Sequence, residues 1–484
     1  MSQSPGDAGT VGPEAVLGVP TLPPSWLADA GNRLRAALAH LHRATAPPPA
    51  RILEAALGML DLAALSALCR LDVPDLLVRP MTSDVLAQEF DVDRARLERL
   101  LRYSATRGWV RIDRRGRVRP TRVTAFLRRD HPGGWRAWIE FASGGEIAAA
   151  AGGLDAALVR GGDAFAAANG APFFDWMAVR PDRHGTFDAA MAAGGQMHGL
   201  LLARALDWSG SRDVCDVGGG DGALLDVLLA EHGHLSGTVL ELPEVAERVR
   251  QRPRLRAVGG DAFTAVPSGC DTYLLVNVLH DWDDVAAARL LRNVADAARA
   301  SDRRAAGQVA GQVIVVEAAA HARPRDDLAI RADLLMLALT PGGRERSIEE
   351  ITALGAVAGL RRRQVRRLAS GDVAIVLVPD ERATEGTCGG PRQGLSAGRE
   401  PLADVRSMRS RAEETTMSGN AKRAKGRAKQ AIGAITGDKD LQKEGRTDER
   451  VGELENKVDD VTDAVNEKID EKLDEAVDKG SGEQ

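Results

Sequence analysis

The sequence predicts an α/β protein in which a doubly wound sheet follows a mainly helical N-terminal region. Two observations predict the sheet. Short apolar strands alternate with helical segments between residues 213 and 379, and the first of these strands ends in the glycine cluster Gly218-Gly219-Gly220. A third observation, apolar side chains that recur every three to four residues before residue 110, predicts the helical region. With 484 residues, of which 44% are hydrophobic, the chain can bury the cores of two or three domains.

Composition narrows the functional class. The net charge of −5 gives no general reason to expect nucleic-acid binding. No stretch shows the roughly 18 uninterrupted apolar residues of a membrane span, and residues 1–24 form a disordered lead without the pattern of a signal peptide. The four cysteines have no paired spacing, which indicates packed thiols in a reducing cytoplasm; they are Cys69, Cys215, Cys270 and Cys388.

Residues 25–155 are predicted to form the helical domain. Helical spacing covers Trp26 to His42 and Ile52 to Leu68, a further helix covers Asp93 to Arg107, and two short strands flank a turn at residues 114–116. The order of these elements is that of a winged helix-turn-helix. Arginines are concentrated in the third helix (93–107) and in the wing, which is the pair of short strands with their turn. They are Arg94, Arg96, Arg99, Arg102, Arg107, Arg111, Arg114, Arg115, Arg117 and Arg119.

This charge distribution allows two interpretations. A module that reads DNA would show this distribution, and the protein would then be a regulator that uses its second domain as a ligand sensor. An arginine-favouring composition on a solvated face would show it as well.

Residues 156–380 are predicted to carry the sheet. Strands are expected at 213–217, 237–242, 255–259, 271–278, 313–317, 361–367 and 373–379, with helices between the first six. The glycine turn can present bare backbone N–H groups to a ligand, while Glu241, at the end of the second strand, can accept hydrogen bonds from ribose hydroxyls. His280 follows the fourth strand at the edge where sites open in such sheets.

Four motifs in this order resemble the S-adenosylmethionine-dependent O-methyltransferases of the plant caffeic acid and bacterial antibiotic-tailoring type. They are Asp216-Val217-Gly218-Gly219-Gly220, Glu241 before Leu242-Pro243, Gly259-Gly260-Asp261, and His280-Asp281-Trp282. The resemblance implies a Rossmann-like seven-stranded methyltransferase domain with an antiparallel final strand. It also implies that the winged-helix domain dimerises, that the protein is a homodimer acting on a phenolic small molecule, and that nucleic acid is not its partner.

The resemblance also implies the roles of individual residues. His280 would be the general base, flanked by Glu317 and Glu345. S-adenosylmethionine would contact Gly218, Glu241, Asp261 and Ala262, and the acceptor would contact Phe187, Met191 and Asp333. One departure is Val276, four residues before His280, where the family often has a Lys or Ser that contacts the cofactor; Asn277 follows it. No cluster has the spacing of a metal site, so no metal is expected.

The chain beyond residue 380 is predicted to lack a packed core. Residues 381–416 have no periodicity and are expected to form a flexible linker. Residues 417–484 change from basic to acidic, and the segment from Met417 to about Lys457 resembles the CsbD-like bacterial stress-response proteins. The tail is therefore either a helical CsbD-like module joined by gene fusion or a disordered segment.

Overall fold

The computed structural model describes residues 24–380, except 132, 160–161, 251, 301–310 and 322–326, together with residue 446. The predicted lead, linker and CsbD-like tail lie outside these residues, apart from residues 24 and 446. Within the described part the chain folds into a helical N-terminal region and a seven-stranded sheet that carries helices on both faces. The predicted fold class is confirmed for this part of the chain.

The N-terminal elements follow the predicted winged helix-turn-helix order. They are α1 (Ser25–Thr45), α2 (Pro48–Leu57), α3 (Met59–Arg70), α4 (Val73–Leu76), α5 (Ser83–Glu89), α6 (Arg94–Thr106), β1 (Val110–Ile112), β2 (Val118–Pro120) and α7 (Arg122–Phe126). Thr82 and Asp93 cap α5 and α6, because each side chain accepts a hydrogen bond from a backbone N–H of the first turn. Leu86, Leu97 and Leu101 are buried in the core that these helices share with β1 and β2.

The run Pro48–Arg70, which contains α2 and α3, is long and apolar enough by composition alone to cross a membrane. Only 22% of its most apolar window is buried, and the turn residue Gly58, whose backbone angles are helical, separates α2 from α3. A helix that packs against another protein surface passes the same test. The expectation of no membrane association therefore stays a prediction.

Six helices connect the two regions. They are α8 (Arg136–Ala142), α9 (Gly145–Gly152), α10 (Leu154–Leu158), α11 (Ala164–Asn169), α12 (Phe173–Ala178) and α13 (Pro181–Ala205). Arg136 joins this segment to the N-terminal domain, because its buried guanidinium donates hydrogen bonds to the carboxylates of Asp72 at 2.7 Å, Asp75 at 2.7 Å and Glu140 at 2.8 Å.

The sheet domain contains the predicted seven strands and five helices. They are β3 (Asp213–Val217), α14 (Ala223–Glu231), β4 (Ser236–Glu241), α15 (Pro243–Ala246), β5 (Leu255–Gly259), β6 (Thr272–Val276), α16 (Asp284–Ala300), β7 (Gln312–Glu317), α17 (Leu328–Leu339), α18 (Ile348–Val357), β8 (Leu360–Arg367) and β9 (Val373–Pro379). One prediction was wrong, since no helix lies between β5 and β6. The twelve residues there include Pro267 and Gly269, which favour turns over a helix.

The strand order β5-β4-β3-β6-β7-β9-β8 brings two distant parts of the chain together. The chain moves from β3 outward to β5 and then returns to place β6 on the other side of β3, so the direction of winding reverses between β3 and β6. Ligands bind at this switch point in open α/β sheets, outside the carboxyl ends of the strands. The β9 strand runs antiparallel to both of its neighbours, as the resemblance implies.

Candidate active site

The glycine turn after β3 has the backbone that the sequence predicts. Gly218, Gly220 and Gly222 have φ angles of 73°, 57° and 84°, in the left-handed region that favours glycine. Nothing lies within 4 Å of the position that a Cβ of Gly220 would occupy, so this part of the turn faces open space. The turn therefore leaves room for a ligand beside its backbone.

Glu241 is bound to this turn. Its carboxylate accepts a hydrogen bond from the N–H of Gly220 at 3.1 Å and another from the N–H of Leu242 at 2.8 Å. Burial raises the pKa of Glu241, and these two backbone hydrogen bonds oppose the shift. The structure thus places Glu241 and Gly218 together at the ends of adjacent strands, as the sequence predicts.

Asp261 and Ala262 lie in the turn that follows β5. The Asp261 carboxylate accepts hydrogen bonds from the N–H of Phe263 at 2.8 Å and from the hydroxyl of Thr264 at 3.0 Å, while the Ala262 carbonyl accepts one from Asn293 at 2.9 Å. These bonds fix the turn at the same edge of the sheet as Glu241.

The glycine turn, Glu241 and Asp261 together form a cradle whose hydrogen-bond acceptors and charges fit S-adenosylmethionine. Glu241 and Asp261 offer carboxylate oxygens to hydroxyl and amino groups, and the turn with Gly220 admits close approach of a ligand. Asp216 lies buried beneath the turn, and its pKa is raised to about 7 by burial and by the neighbouring Glu241 charge. A cofactor with a positive sulfonium and a positive ammonium group is complementary to this acidic cradle.

His280 lies in a single 3₁₀ turn, Leu279–Asp281, after β6. Asn277 makes the turn possible, because its φ of 55° is left-handed, a conformation that asparagine tolerates better than most residues. The bend that leads to the histidine therefore comes directly after Val276, where the sequence departs from the family pattern.

The predicted companions of His280 converge on one of its ring nitrogens. Its Nδ1 is 2.8 Å from Glu317 Oε2 and 3.5 Å from Glu345 Oε1. Glu317 Oε1 accepts hydrogen bonds from the backbone N–H groups of Val278 at 3.1 Å and Leu279 at 2.8 Å, so the carboxylate cannot rotate away. Glu345 is 4% exposed, and its Oε2 is buried without a hydrogen-bond partner.

The sequence interpretation missed two residues of this cluster. Asp281 lies 3.6 Å from His280 Nε2, and burial raises its pKa to about 6. Arg346 is 2% exposed and donates hydrogen bonds to the carbonyls of Leu279 at 2.7 Å and Trp282 at 2.6 Å, which hold the turn on both sides of His280. Asp281 is visible in the His-Asp-Trp motif, whereas nothing in the sequence distinguishes Arg346 from Arg344.

The buried charges perturb one another. Burial lowers the pKa of His280, but the charges of Glu317, Asp281 and Glu345 outweigh burial and raise it to about 10. Burial raises the pKa of Glu345 to about 8, and the neighbouring carboxylates of Glu317, Asp372 and Asp333 add to the shift. The cluster therefore holds protons that a solvent-exposed set of the same residues would release.

Aromatic side chains pack beside the turn that carries His280. Phe174 stacks on Trp282 with ring centroids 5.8 Å apart, and Trp282 meets Phe263 edge-on at 4.7 Å. Phe187 and Met191, on α13, pack against the cluster formed by the connecting helices. Asp333 of α17 accepts a hydrogen bond from the N–H of Glu345 at 2.9 Å.

Three cysteines of the described residues, Cys69, Cys215 and Cys270, are free and buried. His280, Glu317 and Glu345 bring ligand-type atoms within 4.8 Å of one another. The expectation of no metal stays a prediction.

Several arginines of α6 and of the wing formed by β1 and β2 have acidic neighbours. Arg94 pairs with Asp84 and Glu98, and Arg107 pairs with Asp61. Asp113 accepts hydrogen bonds from Arg117 and Arg119, both at 3.0 Å. These pairs reduce the positive charge that a DNA-reading surface would need.

Comparison with known proteins identifies three segments. Residues 53–130 match the family model of the O-methyltransferase dimerisation domain, residues 152–361 match that of the O-methyltransferase domain, and residues 415–467 match that of CsbD-like proteins. The matches confirm the dimerisation interpretation of the winged helix and the CsbD-like resemblance of the tail.

The chain is similar to individual proteins over most of their length. It is 33% identical to the O-demethylpuromycin-O-methyltransferase of Streptomyces alboniger, over 73% of this chain and 95% of that protein. It is 32% identical to aclacinomycin 10-hydroxylase RdmB of Streptomyces purpurascens, over 60% of this chain and 78% of that protein. The structure of NcsB1, an O-methyltransferase from neocarzinostatin biosynthesis in complex with S-adenosylmethionine and 2-hydroxy-5-methyl naphthoic acid, superposes with a TM-score of 0.54 and 31% identity, covering 66% of this chain and 96% of that one.

Proposed function

Because this chain belongs to the S-adenosylmethionine-dependent O-methyltransferases, we propose that it methylates a hydroxyl group of an aromatic small molecule, with His280 as the general base. The protein is an enzyme, and its cofactor is S-adenosylmethionine. The cofactor supplies the methyl group as an electrophilic sulfonium. The protein must supply a pocket for both molecules and a group that accepts the hydroxyl proton.

The contact between His280 and Glu317 is the observation that carries the proposal. Glu317 engages Nδ1 at 2.8 Å and is itself fixed by two backbone N–H groups, so the neutral imidazole carries its proton on Nδ1. Nε2 is then the nitrogen with a free lone pair. It lies at the carboxyl edge of β6, next to the glycine turn of β3, where a hydroxyl and a methyl donor can meet.

The charge of His280 sets a condition on this role. With its pKa raised to about 10, the imidazole is protonated at neutral pH in the protein alone, and only the neutral form can act as a base. A positive charge brought close to His280 disfavours the imidazolium and lowers its pKa. We propose that His280 becomes a base when the cationic cofactor occupies the cradle.

We assign the cofactor contacts to Gly218, Glu241, Asp261 and Ala262. Glu241 is oriented by the Gly220 and Leu242 N–H groups and still has lone pairs for ribose hydroxyls. Asp261 and Ala262 fix the turn that would border the adenine.

We assign Phe187, Met191 and Asp333 to the wall of the acceptor pocket. Phe187 and Met191 lie on α13 in the aromatic cluster, which supports an aromatic acceptor. Asp333 is held by its hydrogen bond from Glu345, which supports a position beside the acid–base cluster.

We further propose a cytoplasmic homodimer with the domain limits 25–155 and 156–380 and a tail at 417–484. Large apolar side chains are exposed along α1 to α3, in and before the segment that matches the dimerisation model; they are Leu34, Leu38, Ile52, Leu53, Leu57, Met59 and Leu60. A second copy of the chain would bury them.

The test is transfer of label from S-adenosylmethionine to a panel of phenolic acceptors by wild type and His280→Ala. The variant should bind the cofactor in calorimetry within about threefold of wild type and lose about 10²- to 10⁴-fold in kcat. Added imidazole should restore part of the turnover. Equal turnover by the two proteins would reject His280 as the base.

A second candidate is other chemistry with the same cofactor, since one relative at 32% identity is named as a hydroxylase. Mass spectrometry of the product decides between them. A product 14 mass units heavier than the acceptor indicates methylation, and a gain of oxygen indicates the alternative.

A further inference from the structure

The loop of residues 340–347, which joins α17 to α18, packs against the turn that carries His280. A Cβ atom on Gly343 would overlap the carbonyl oxygen of His280 and would lie 2.8 Å from the carbonyl carbon of Asp281. Real Cβ atoms do not come within 3.0 Å of other heavy atoms. The φ angle of Gly343 is not left-handed, so only this close approach of two backbones requires glycine here.

The loop is tied to α17 on both sides of Gly343. The hydroxyl of Thr340 donates a hydrogen bond to the Met336 carbonyl at 2.9 Å and accepts one from the Gly343 N–H at 2.8 Å. The N–H of Glu345 donates to the carboxylate of Asp333 at 2.9 Å. Because Met336 and Asp333 both belong to α17, this helix determines where Gly343 lies.

Arg346 ties the same loop to the His280 turn. This arginine is 2% exposed, and each nitrogen of its guanidinium donates a hydrogen bond to an acceptor on the turn or within three residues of it. The acceptors are the carbonyls of Leu279 at 2.7 Å and Trp282 at 2.6 Å and the carboxylate of Asp284 at 2.9 Å. The backbone carbonyl of Arg346 accepts a hydrogen bond from the Ala320 N–H, just beyond β7, at 3.0 Å. The plane of a guanidinium fixes the directions of its hydrogen bonds, whereas a lysine ammonium rotates.

Together these contacts restrain the His280 turn in opposite directions. Gly343 limits how closely the turn and the loop can approach, and the hydrogen bonds of Arg346 prevent them from separating. The ring of His280 is fixed separately, by the 2.8 Å contact between its Nδ1 and the carboxylate of Glu317 on β7. A shift of the turn relative to the loop would therefore alter that contact and displace Nε2.

We propose that Gly343 and Arg346 are positioning residues for the catalytic histidine, and that the 340–347 loop fixes the distance between Nε2 of His280 and an acceptor bound beside α17. Neither residue needs to touch the acceptor or the cofactor. The inference rests on the proposed role of His280 as the base and on the assignment of Asp333, which the same loop contacts, to the acceptor pocket.

Gly343→Ala tests the proposal, because the added methyl group must push the turn and the loop apart. A displacement on the order of 1 Å should lower kcat by about 10²-fold on a phenol that wild type methylates. The KM for that phenol and the calorimetric affinity for S-adenosylmethionine should stay within about threefold of wild type. Gly233→Ala is the matched control, since Gly233 is exposed in the connection between α14 and β4 and nothing lies within 4 Å of its Cβ position.

A ring-fluorinated derivative of the same phenol, ionised at the assay pH, separates positioning from general damage. This derivative has no hydroxyl proton for His280 to accept, so Gly343→Ala should methylate it within about threefold of the wild-type rate. An equal loss on both phenols, or wild-type kcat on the parent phenol, would overturn the positioning role.

Arg346→Lys carries the same test if Gly343→Ala does not fold, with an expected loss of about 10-fold on the parent phenol. NMR of ring-labelled histidine in cofactor-free protein adds a measurement that needs no acceptor. The signal of the Nδ1 proton of His280, identified by its absence in His280→Ala, should shift in both variants because the contact with Glu317 changes, and it should stay in place in Gly233→Ala. An unchanged signal in both variants would also overturn the positioning role. Failure of the base assignment appears separately, as turnover of the parent phenol by His280→Ala at the wild-type rate.

Discussion

Replacing Glu317 with glutamine tests the part of the site that the proposal depends on most. The carbonyl oxygen of glutamine can keep the hydrogen bonds from the Val278 and Leu279 N–H groups, which Glu317 Oε1 accepts at 3.1 and 2.8 Å. Its amide nitrogen then faces His280 Nδ1, at the place of the oxygen now 2.8 Å away. Because an amide N–H₂ can only donate, Nδ1 must accept, and the neutral ring carries its proton on Nε2.

The expected loss follows from this change of tautomer. With Nε2 protonated, the ring has no lone pair for the acceptor hydroxyl, and kcat should fall by about 10²- to 10⁴-fold. This corresponds to about 3 to 5 kcal/mol of transition-state free energy. Calorimetric affinity for S-adenosylmethionine should stay within about threefold, because the carboxylate of Glu317 points at His280 and not at the glycine turn.

The assay is single-turnover transfer from labelled cofactor at saturating acceptor. Glu349→Gln, at an exposed glutamate in the first turn of α18, is the matched control and should retain wild-type turnover. The pKa of His280 should also fall in Glu317→Gln, since Glu317 is the strongest of the charges that raise it. Turnover within about threefold of wild type would refute the reasoning, because the ring would then work in either tautomer.

Four further outcomes are expected. Glu241→Ala should weaken S-adenosylmethionine binding by about 10- to 100-fold, measured by calorimetry, since the two ribose hydroxyls lose the charged acceptor of their hydrogen bonds. Turnover should rise with pH and be lost as pH falls, because the neutral ring of His280 is the active form. Since the pKa of His280 in the cofactor-free protein is raised, the ascending limb of the pH profile of kcat/KM should lie above pH 6.5, near which an ordinary histidine titrates. In urea denaturation, Arg346→Met should lower the free energy of unfolding by about 2 to 4 kcal/mol, because two buried carbonyls lose their donor. The control Arg344→Met, at a more exposed arginine, should lower it by less than about 1 kcal/mol. Ile52→Glu, at a side chain that is 72% exposed, should convert the dimer to a monomer in sedimentation, and Val285→Glu on α16 should not.

The sequence determined the strands closely, and the reason is local. Each strand of the sheet is a short apolar run bounded by turn residues, and all seven predicted strands lie within two residues of the observed limits at each end. The helix start predicted at Asp93 is local as well, because the Asp93 side chain accepts a hydrogen bond from the Arg96 N–H in the first turn of α6. The helix predicted between β5 and β6 does not form. That prediction assumed that strands and helices alternate throughout, whereas the twelve residues there, which include Pro267, form only turns.

The site divides in the same way. Sequence alone determined that a glycine turn, an acidic strand end and a histidine follow three strands, because each is a local motif. Only the tertiary structure decided which atoms meet. Glu317 lies 37 positions from His280, which it contacts, and Arg346 lies 67 positions from Leu279, whose carbonyl it binds. Their partners are set by strand order and burial, and the charge that each carries depends on neighbours that no sequence window contains.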